Sequence, residues 1–540
     1  MSNELTLYNF QNEGAAWLTS YRAGQTSASA HVVAEPYFGM LLDEMGVGKT
    51  AQALESIRSL LSEGKRGLFI VPGATTVQWQ KNWNRWINDI GTGDVPDEWC
   101  MNQLARLTGT LQPVPHDASV VMSHAMLARH AIVKKLVEAN FDFLVIDEVH
   151  KFGNRKSKRF RNLLAVLNLS ESRLSYGRIV LTGTPTRNWA HEIYSVCHIV
   201  APQYARNFEE FAGRWLAYYD KKSLRDPIRF HEYWKPFMLR RTLSQVAPDM
   251  PPCRRTKLYT ELTSEFIRKT YNKNVSLMKN FMESGEKVDS TSLLGYLQKL
   301  RHITGLGKTR EAAIMEPIIE YLTAASPDGS SPDGRKAVIG VHHIWVVDRL
   351  RLVLSPVCKV FAIVGGMDDS KKEQVKQEFI TYSAPAVLLL SIKAGGEGID
   401  GLQHACTKSY VFERQWNGAD EQQFEKRIYR IGQTKKVEIE YTLALGTVDE
   451  FFDEMVEHKR KITNSVTDPN WESDPAFIRE LANKVIANPL SAGSSKRGNY
   501  SVDMDEASPD DESGELELAE ISFDELELID NLQAQTYSPA

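Results

Sequence analysis

The sequence predicts an α/β protein made of two blocks, each a parallel sheet with helices on both faces. Apolar runs of strand length alternate with amphipathic, helix-like stretches, the pattern that βαβ units leave in a sequence. This alternation occurs twice, separated at about 190 to 320 by a mostly helical, polar and basic region. Two motifs with phosphate chemistry fall beside apolar runs of the first block: residues 41–50 read LLDEMGVGKT and residues 144–150 read LVIDEVH.

In the first block the strand-like runs are GLFIVP (67–72), FDFLVID (141–147) and RIVLTG (178–183). In the second they are KAVIGVH (336–342), VFAIVGG (360–366), AVLLLSI (386–392) and KSYVFE (408–413). ASPDGSSPDG at 325–334 is turn-rich and reads as a surface loop; its duplicated SPDG is too short for a structural repeat. Past about residue 465 the apolar periodicity fades, and the last 40 residues, acidic and poor in aromatics, are expected to be disordered. A length of 540 residues suits three or four average domains, or two large lobes with additions.

The net charge of -5 hides an asymmetry. Residues 501–540 carry 13 Asp and Glu and no Lys or Arg, which leaves residues 1–500 at +8. A basic body with an acidic tail suits a polyanionic partner, although a mixed solvated surface explains the same count. No stretch approaches the ~18 uninterrupted apolar residues of a membrane span, and MSNELTLYNF at the N-terminus lacks the pattern of a secretory signal. The five cysteines are scattered with no C-x-x-C pair, so neither zinc nor a disulfide framework is indicated and a reducing compartment is expected.

Phosphoryl transfer to water needs backbone N–H groups and a lysine around the phosphates, a hydroxyl and a carboxylate for Mg²⁺, and a base that orients water. Gly46, Gly48, Lys49 and Thr50 supply the first set between the apolar run FGMLL and the helix-like AQALESIRSLL. Asp147 and Glu148 end a strand, where open α/β sheets place their ligands. Asp147 is expected to hold Mg²⁺, directly or through water, and Glu148 to orient and deprotonate the attacking water. Asp43 departs from the generic loop, which begins with glycine. A second Gly-Lys-Thr, at 307–309, follows no buried strand and has His302 where the loop wants a small residue, so it reads as helix and turn.

In order along the chain, these motifs and several others resemble the SWI/SNF-related branch of the superfamily-two helicases and DNA translocases. LYNFQNEGAAWL (7–18) resembles the adenine-reading segment, with Gln11 in the adenine-binding place. DEMGVGKT is similar to this branch's own phosphate loop, Asp43 included. IVPGATTVQW (70–79) and VVMSHAML (120–127) resemble segments that touch the DNA backbone, DEVH the DEAH-type box, and LTGTPTRN (181–188) the LTGTPLQN motif. FMLRRT (237–242) and the following MPPCRR resemble the crossing towards a second lobe. SIKAGGEGIDGL (391–402) and QQFEKRIYRIGQ (422–433) resemble that lobe's DNA- and ATP-sensing motifs, and GTVDEFF (446–452) the helix bracing the lobes.

The resemblance covers about residues 5 to 465. It implies two RecA-like lobes, with helical additions between them and a disordered acidic C-terminal tail. The expected division is 1–245 for the ATP-binding lobe, 246–465 for the helicase lobe and 466–540 for the extension. It implies ATP and Mg²⁺ at Gln11, Gly46, Gly48, Lys49, Thr50, Asp147 and Gln423, with Thr50 and Asp147 on the metal. Lys49, Glu148, Arg427 and Arg430 would be catalytic; the two arginines, three apart on one helical face, would reach the γ-phosphate as arginine fingers. Ser123, Thr182, Ser391, Lys393 and Gly395 would touch DNA. Trp416-Asn417 resembles the family's Trp-Asn-Pro, with the tryptophan expected in the core.

Gly153, Thr186-Arg187 and Asp400 depart from the family's Lys, Leu-Gln and Asn, and tuning rather than loss of hydrolysis is expected. LRHITGLGK (300–308) moves the chain towards the branch of annealing helicases and bacterial and viral relatives. The implied function is a DNA-dependent ATPase translocating on duplex or forked DNA in replication, repair or recombination. A strand-separating or annealing, fork-remodelling helicase is the alternative within the class. A catalytically silent DNA-binding scaffold is the alternative outside it. A monomer is expected, without membrane contact, in the cytoplasm or, in a eukaryote, the nucleus. The tail is expected to compete weakly with DNA, to dock a protein partner or to aid solubility.

Overall fold

In the computed structural model the described residues are 6–25, 31–88, 103–172, 174–186, 189–218, 221–283, 290–324, 335–392, 399–415 and 418–467. The turn-rich 325–334 segment, Trp416-Asn417 and the acidic tail lie outside them.

A small antiparallel hairpin, β1 (Arg22–Gln25) and β2 (His31–Ala34), precedes the first sheet. That sheet is formed by β3 (Phe38–Leu41), β4 (Gly67–Val71), β5 (Leu104–Leu107), β6 (Ser119–Ser123), β7 (Phe143–Asp147), β8 (Gly177–Leu181) and β9 (Met238–Leu239). Its order is β5-β6-β4-β7-β8-β3-β9, with every pairing parallel. The second sheet contains β10 (Cys253–Thr260), β11 (Lys336–Val341), β12 (Lys359–Ile363), β13 (Ala386–Ser391), β14 (Lys408–Val411) and β15 (Val437–Ala444). Its order is β10-β15-β14-β11-β13-β12, again wholly parallel. The molecule is thus two α/β lobes of the RecA-like kind, with helices added between them.

Continuous apolar runs mark these strands because both faces of each sheet are covered. Along β7, Leu144 and Ile146 enter one core while Phe143 and Val145 enter the other. Along β13, Leu388 and Leu390 face one side, Val387 and Leu389 the opposite. A fifth core forms where the helices Glu265–Glu283, Ser290–Lys308 and Val448–Thr467 meet around Tyr271, Leu300 and Phe452. The last of these helices also touches the first lobe, at the helix Pro227–Trp234 and at residues 190–192. No described helix is long and apolar enough to cross a membrane.

The second Gly-Lys-Thr is structural. Lys308 ends a helix, its side chain is 0% exposed, and its Nζ pairs with Asp449 at 2.7 Å and donates to the carbonyls of Phe412 and Thr442. Replacing it with alanine leaves a buried carboxylate unpaired. Lys308→Ala should destabilise the second lobe by about 3–5 kcal/mol in chemical denaturation. The folded fraction should bind nucleotide as the parent does, whereas lost affinity at unchanged stability would mark a phosphate-binding lysine.

Candidate active site

The site forms because β7, β8 and β3 are neighbours in register. Asp147 pairs with Leu181 and Leu181 with Leu41, so the chain segments leaving these strands emerge side by side at one sheet edge. The phosphate loop leaves β3, the Thr182-Gly183-Thr184 turn leaves β8, and Glu148 follows β7. Gly46 and Gly48 adopt φ of +87° and +83°, values that strain a side-chain-bearing residue. Gly48 caps the helix Lys49–Ser56, directing free N–H groups and the positive end of its dipole into the loop.

Gln11 lies over this loop. Its Nε2 donates to the Val47 carbonyl at 3.1 Å and sits 2.3 Å from where a Cβ on Gly48 would be. Lys49 donates from Nζ to the carbonyls of Asp43 and Glu44 at 2.8 and 3.2 Å. Burial lowers its pKa against the raising effect of Glu148, Asp43 and Asp147. Thr50 is the second residue of the same helix.

The two acidic residues have different surroundings. Asp147 accepts from the Trp79 indole and from the Glu148 N–H, both at 3.0 Å. Burial first, then the Glu148 charge, raises its pKa. Glu148 adopts φ +50°, a left-handed conformation rare for a non-glycine residue. Burial pushes its pKa up, but the His150 hydrogen bond and charge, with Lys49 and Lys151, outweigh that and hold the carboxyl below its ordinary range. It is therefore ionised at neutral pH. The neutral His124 ring, its pKa lowered chiefly by burial, holds the Asp147 carbonyl at 2.7 Å.

Thr182 lies beside Glu148. Its side chain is 0% exposed; its hydroxyl lies 2.9 Å from His150 Nδ1 and 3.2 Å from Glu148 Oε2. The enclosed hydroxyl thus faces Glu148 and His150 rather than solvent. Ser123 and Ser391 end β6 and β13 and are partly exposed. Lys393, Gly395 and the rest of 393–398 lie outside the described residues, as does Arg187.

Groups of the second sheet's lobe enter the site. Gln423, on the helix Gly418–Glu425, donates to Glu148 Oε1 at 3.4 Å. Lys426 pairs with Glu44 of the phosphate loop at 2.5 Å. Arg430 Cβ lies 2.8 Å from where a Cβ on Gly46 would be. A cavity of 420 Å³ between the lobes is lined by Glu44, Met45, Arg240, Arg255, Lys426 and neighbouring residues.

Arg427 and Arg430 do not share the expected helical face. The helix ends at Glu425 and the backbone tightens into turns, with the Arg427 N–H donating to the Phe424 carbonyl, before Gly432 at φ +95° redirects it. The two guanidiniums nevertheless converge on one segment: Arg427 donates to the Ile399 carbonyl at 2.8 Å and Arg430 pairs with Asp400 at 2.9 Å. Asp400, where the resemblance has Asn, is thus an ion-pair partner of Arg430. Gly153 is explained by crowding, since a Cβ there would lie 3.1 Å from both Glu192 Cβ and the His150 carbonyl.

Sequence reasoning missed the role of the Arg240-Arg241 pair. Arg241 binds the fully buried Asp43 carboxylate through two nitrogens at 2.5 and 3.1 Å, and reaches Gln52 and the Phe10 carbonyl. Arg240 donates to the carbonyls of Leu42 and Gly183. The signal available was the paired arginines in FMLRRT; their targets lie 57 to 231 residues upstream and could not be paired by spacing.

The family model described as SNF2-related domain matches residues 10–306, more than half of the chain. The chain belongs to the SNF2-related family. An uncharacterised ATP-dependent helicase of Mycoplasma genitalium is 26% identical over 490 residues, 89% of this chain and 44% of the relative. The DNA annealing helicase and endonuclease ZRANB3 of Bos taurus is 24% identical, covering 79% of this chain and 38% of its own length. The SNF2-related chain therefore spans less than half the length of these curated relatives. It also aligns with the SWI2/SNF2 ATPase core of Sulfolobus solfataricus in complex with double-stranded DNA, at a TM-score of 0.38 and 22% identity, over 90% of this chain and 97% of that one.

Thr182→Val keeps the side-chain volume and deletes the hydroxyl. It should cut turnover by about 10- to 100-fold, the scale of one hydrogen bond to a charged group, and leave duplex affinity within about twofold. Weakened duplex binding at unchanged turnover would return Thr182 to the DNA surface.

Proposed function

We propose that this SNF2-related chain hydrolyses ATP in response to DNA and uses the cycle to move along duplex DNA. The observation that carries the reading is the meeting of Gln423 with Glu148 and of Lys426 with Glu44. Groups from both lobes surround one phosphate loop, so occupancy of that loop and the separation of the lobes depend on each other.

Gln11, Gly46, Gly48, Lys49 and Gln423 would bind the nucleotide. The donor set suits triphosphate: a helix N-terminus, an ammonium and glycines with no room for a side chain. Thr50 and Asp147 would hold Mg²⁺, which when bound supplies positive charge against the phosphate oxygens. Both Asp147 oxygens already accept a protein hydrogen bond, and this favours a contact through water. Glu148, kept ionised by His150 and Lys49, would take the proton of the attacking water.

Arg430 rests on Asp400 and, once released, would turn towards the phosphate loop that its Cβ already flanks. Ser123 and Ser391 stand at the C-terminal edges of the two sheets; with Lys393 and Gly395 they would contact the DNA backbone. Such contacts give affinity that depends on salt and little on sequence. We further propose that the division of labour follows the boundaries 1–245, 246–465 and 466–540.

The deciding experiment is an ATPase titration against duplex, single-stranded and forked DNA and against RNA, paired with triplex displacement. Duplex should stimulate more than RNA, with movement and no unwinding. Stimulation by RNA alone would sink the reading, while strand displacement or annealing abolished by Lys49→Ala would establish a fork-remodelling helicase instead. Glu148→Gln should bind ATP and lose turnover, whereas Lys49→Ala should lose tight binding; a parental rate in the Glu148 variant would remove its assignment.

Asp400→Asn should free Arg430 and raise DNA-free hydrolysis a few-fold, and Arg430→Ala should cut DNA-stimulated turnover by about 10³. An unchanged DNA-free rate in the first variant would mean that the Asp400 pair does not restrain the arginine.

A further inference from the structure

The stretch from Lys151 to Arg161, just after the catalytic acids, contains six basic residues and no acidic one. Three of them are partly buried, with Arg155 lying over the Phe208 ring at 3.9 Å. The other three, Lys156, Lys158 and Arg161, are exposed at the start of the helix Lys158–Leu169. None of Lys156, Lys158 and Arg161 is in an ion pair with a described residue. Exposed lysines elsewhere do find carboxylates one turn away, as in Lys134–Glu138 and Lys269–Glu265. Unpaired like charges repel one another, so a surface that gathers them is suited to a polyanion that neutralises them.

Its position selects the polyanion. The helix packs against the 3-10 turn His124–Ala128 that follows Ser123, and Asn162 donates to the Leu127 carbonyl at 2.6 Å. Lys151 and Arg159 help lower the pKa of His124 in that turn, after burial, so the positive field reaches the turn. Arg129, exposed and likewise without an ion pair, lies just beyond the turn.

We infer that Lys156, Lys158, Arg161 and Arg129 form a phosphate-contacting surface beside Ser123, which lengthens the footprint of duplex DNA on the first lobe. The inference rests on the reading of the chain as a duplex-DNA motor. The geometry adds contacts lateral to the strand-end segments without touching the nucleotide site, so the surface acts on affinity and salt dependence and leaves hydrolysis itself alone.

The test is duplex binding by fluorescence anisotropy from about 50 to about 300 mM salt, with the slope of log K against log salt as readout. Three full-length proteins are compared: the parent, Lys156→Gln/Lys158→Gln/Arg161→Gln, and Lys269→Gln/Lys273→Gln/Lys371→Gln, which loses the same charge from the second lobe. At about 0.9 per phosphate contact, the first variant should show a slope shallower by about 2–3 and about tenfold or more weaker binding at low salt. Its thermal midpoint and DNA-free ATPase should match the parent, and the control variant should keep the parental slope. A parental slope in the first variant, or an equal loss in the control, overturns the surface while leaving the motor reading intact. A parent that does not bind duplex at all overturns both.

Discussion

The buried ion pair between Asp43 and Arg241 is the contact on which the rest of the site depends. Asp43 opens the phosphate loop and is fully enclosed; Arg241 lies in the segment that joins the two sheets, between β9 and β10. A carboxylate in that position is tolerable only because two guanidinium nitrogens and the Gln52 amide surround it. Gly14 permits this closeness, since a Cβ there would lie 1.9 Å from Gln52 Oε1 and 2.7 Å from Arg241. The helix carrying Gln11, the loop carrying Lys49 and the connection to the second lobe are thereby tied at one point. Where a generic loop has a small flexible glycine, this one has a charge that fixes its direction.

From that anchor the coupling between lobes follows in short steps. Arg240 holds the Leu42 and Gly183 carbonyls, and Gly183 lies so near Met45 that a Cβ would sit 2.5 Å from its side chain. The Thr182 turn and the phosphate loop are therefore packed against each other and share Arg240. Thr182 supports Glu148, and Glu148 accepts from Gln423 of the other lobe. Glu44 bridges the same divide, accepting from the Leu243 N–H and from Lys426. Each bridge is one hydrogen bond or one partly exposed ion pair, weak compared with the buried pairs inside each lobe.

Much of this was legible in the sequence, and the limits have physical causes. Strands β4, β7, β11 and β13 announce themselves because strands buried on both faces are apolar along almost their whole length, and β8 and β12 because most of their residues are apolar. Edge strand β10 does not: its exposed residues Arg254, Arg255, Lys257 and Tyr259 fall on both of its faces, as suits an exposed edge. The neighbouring β15, VEIEYTLA, hides its apolar side behind alternating glutamates. The contact of Thr182 with Glu148 was not legible because a hydroxyl- and glycine-rich turn reads alike whether it faces solvent or a buried carboxylate. Arg427 and Arg430 were given one helical face because three-residue spacing cannot reveal that the helix stops at Glu425. The roles of Arg240 and Arg241 lie in contacts with residues 57 to 231 positions away, beyond any periodicity.

The second lobe delivers its residues from a stiff mounting. Arg414 is almost fully enclosed yet paired with Glu421, Asp453 and Glu457, while Arg460 pairs with Glu421 and Glu425. These bonds join the helix bearing Gln423 to the helix Val448–Thr467, which also leans on the first lobe. Burying so many charges adds little net stability, but every partner is specified, and removing one strands the others. Such a network resists gradual deformation. Gln423 and Lys426 are therefore fixed within their own lobe, and the bridges at the cleft, rather than the lobe's interior, are the weaker contacts of the structure.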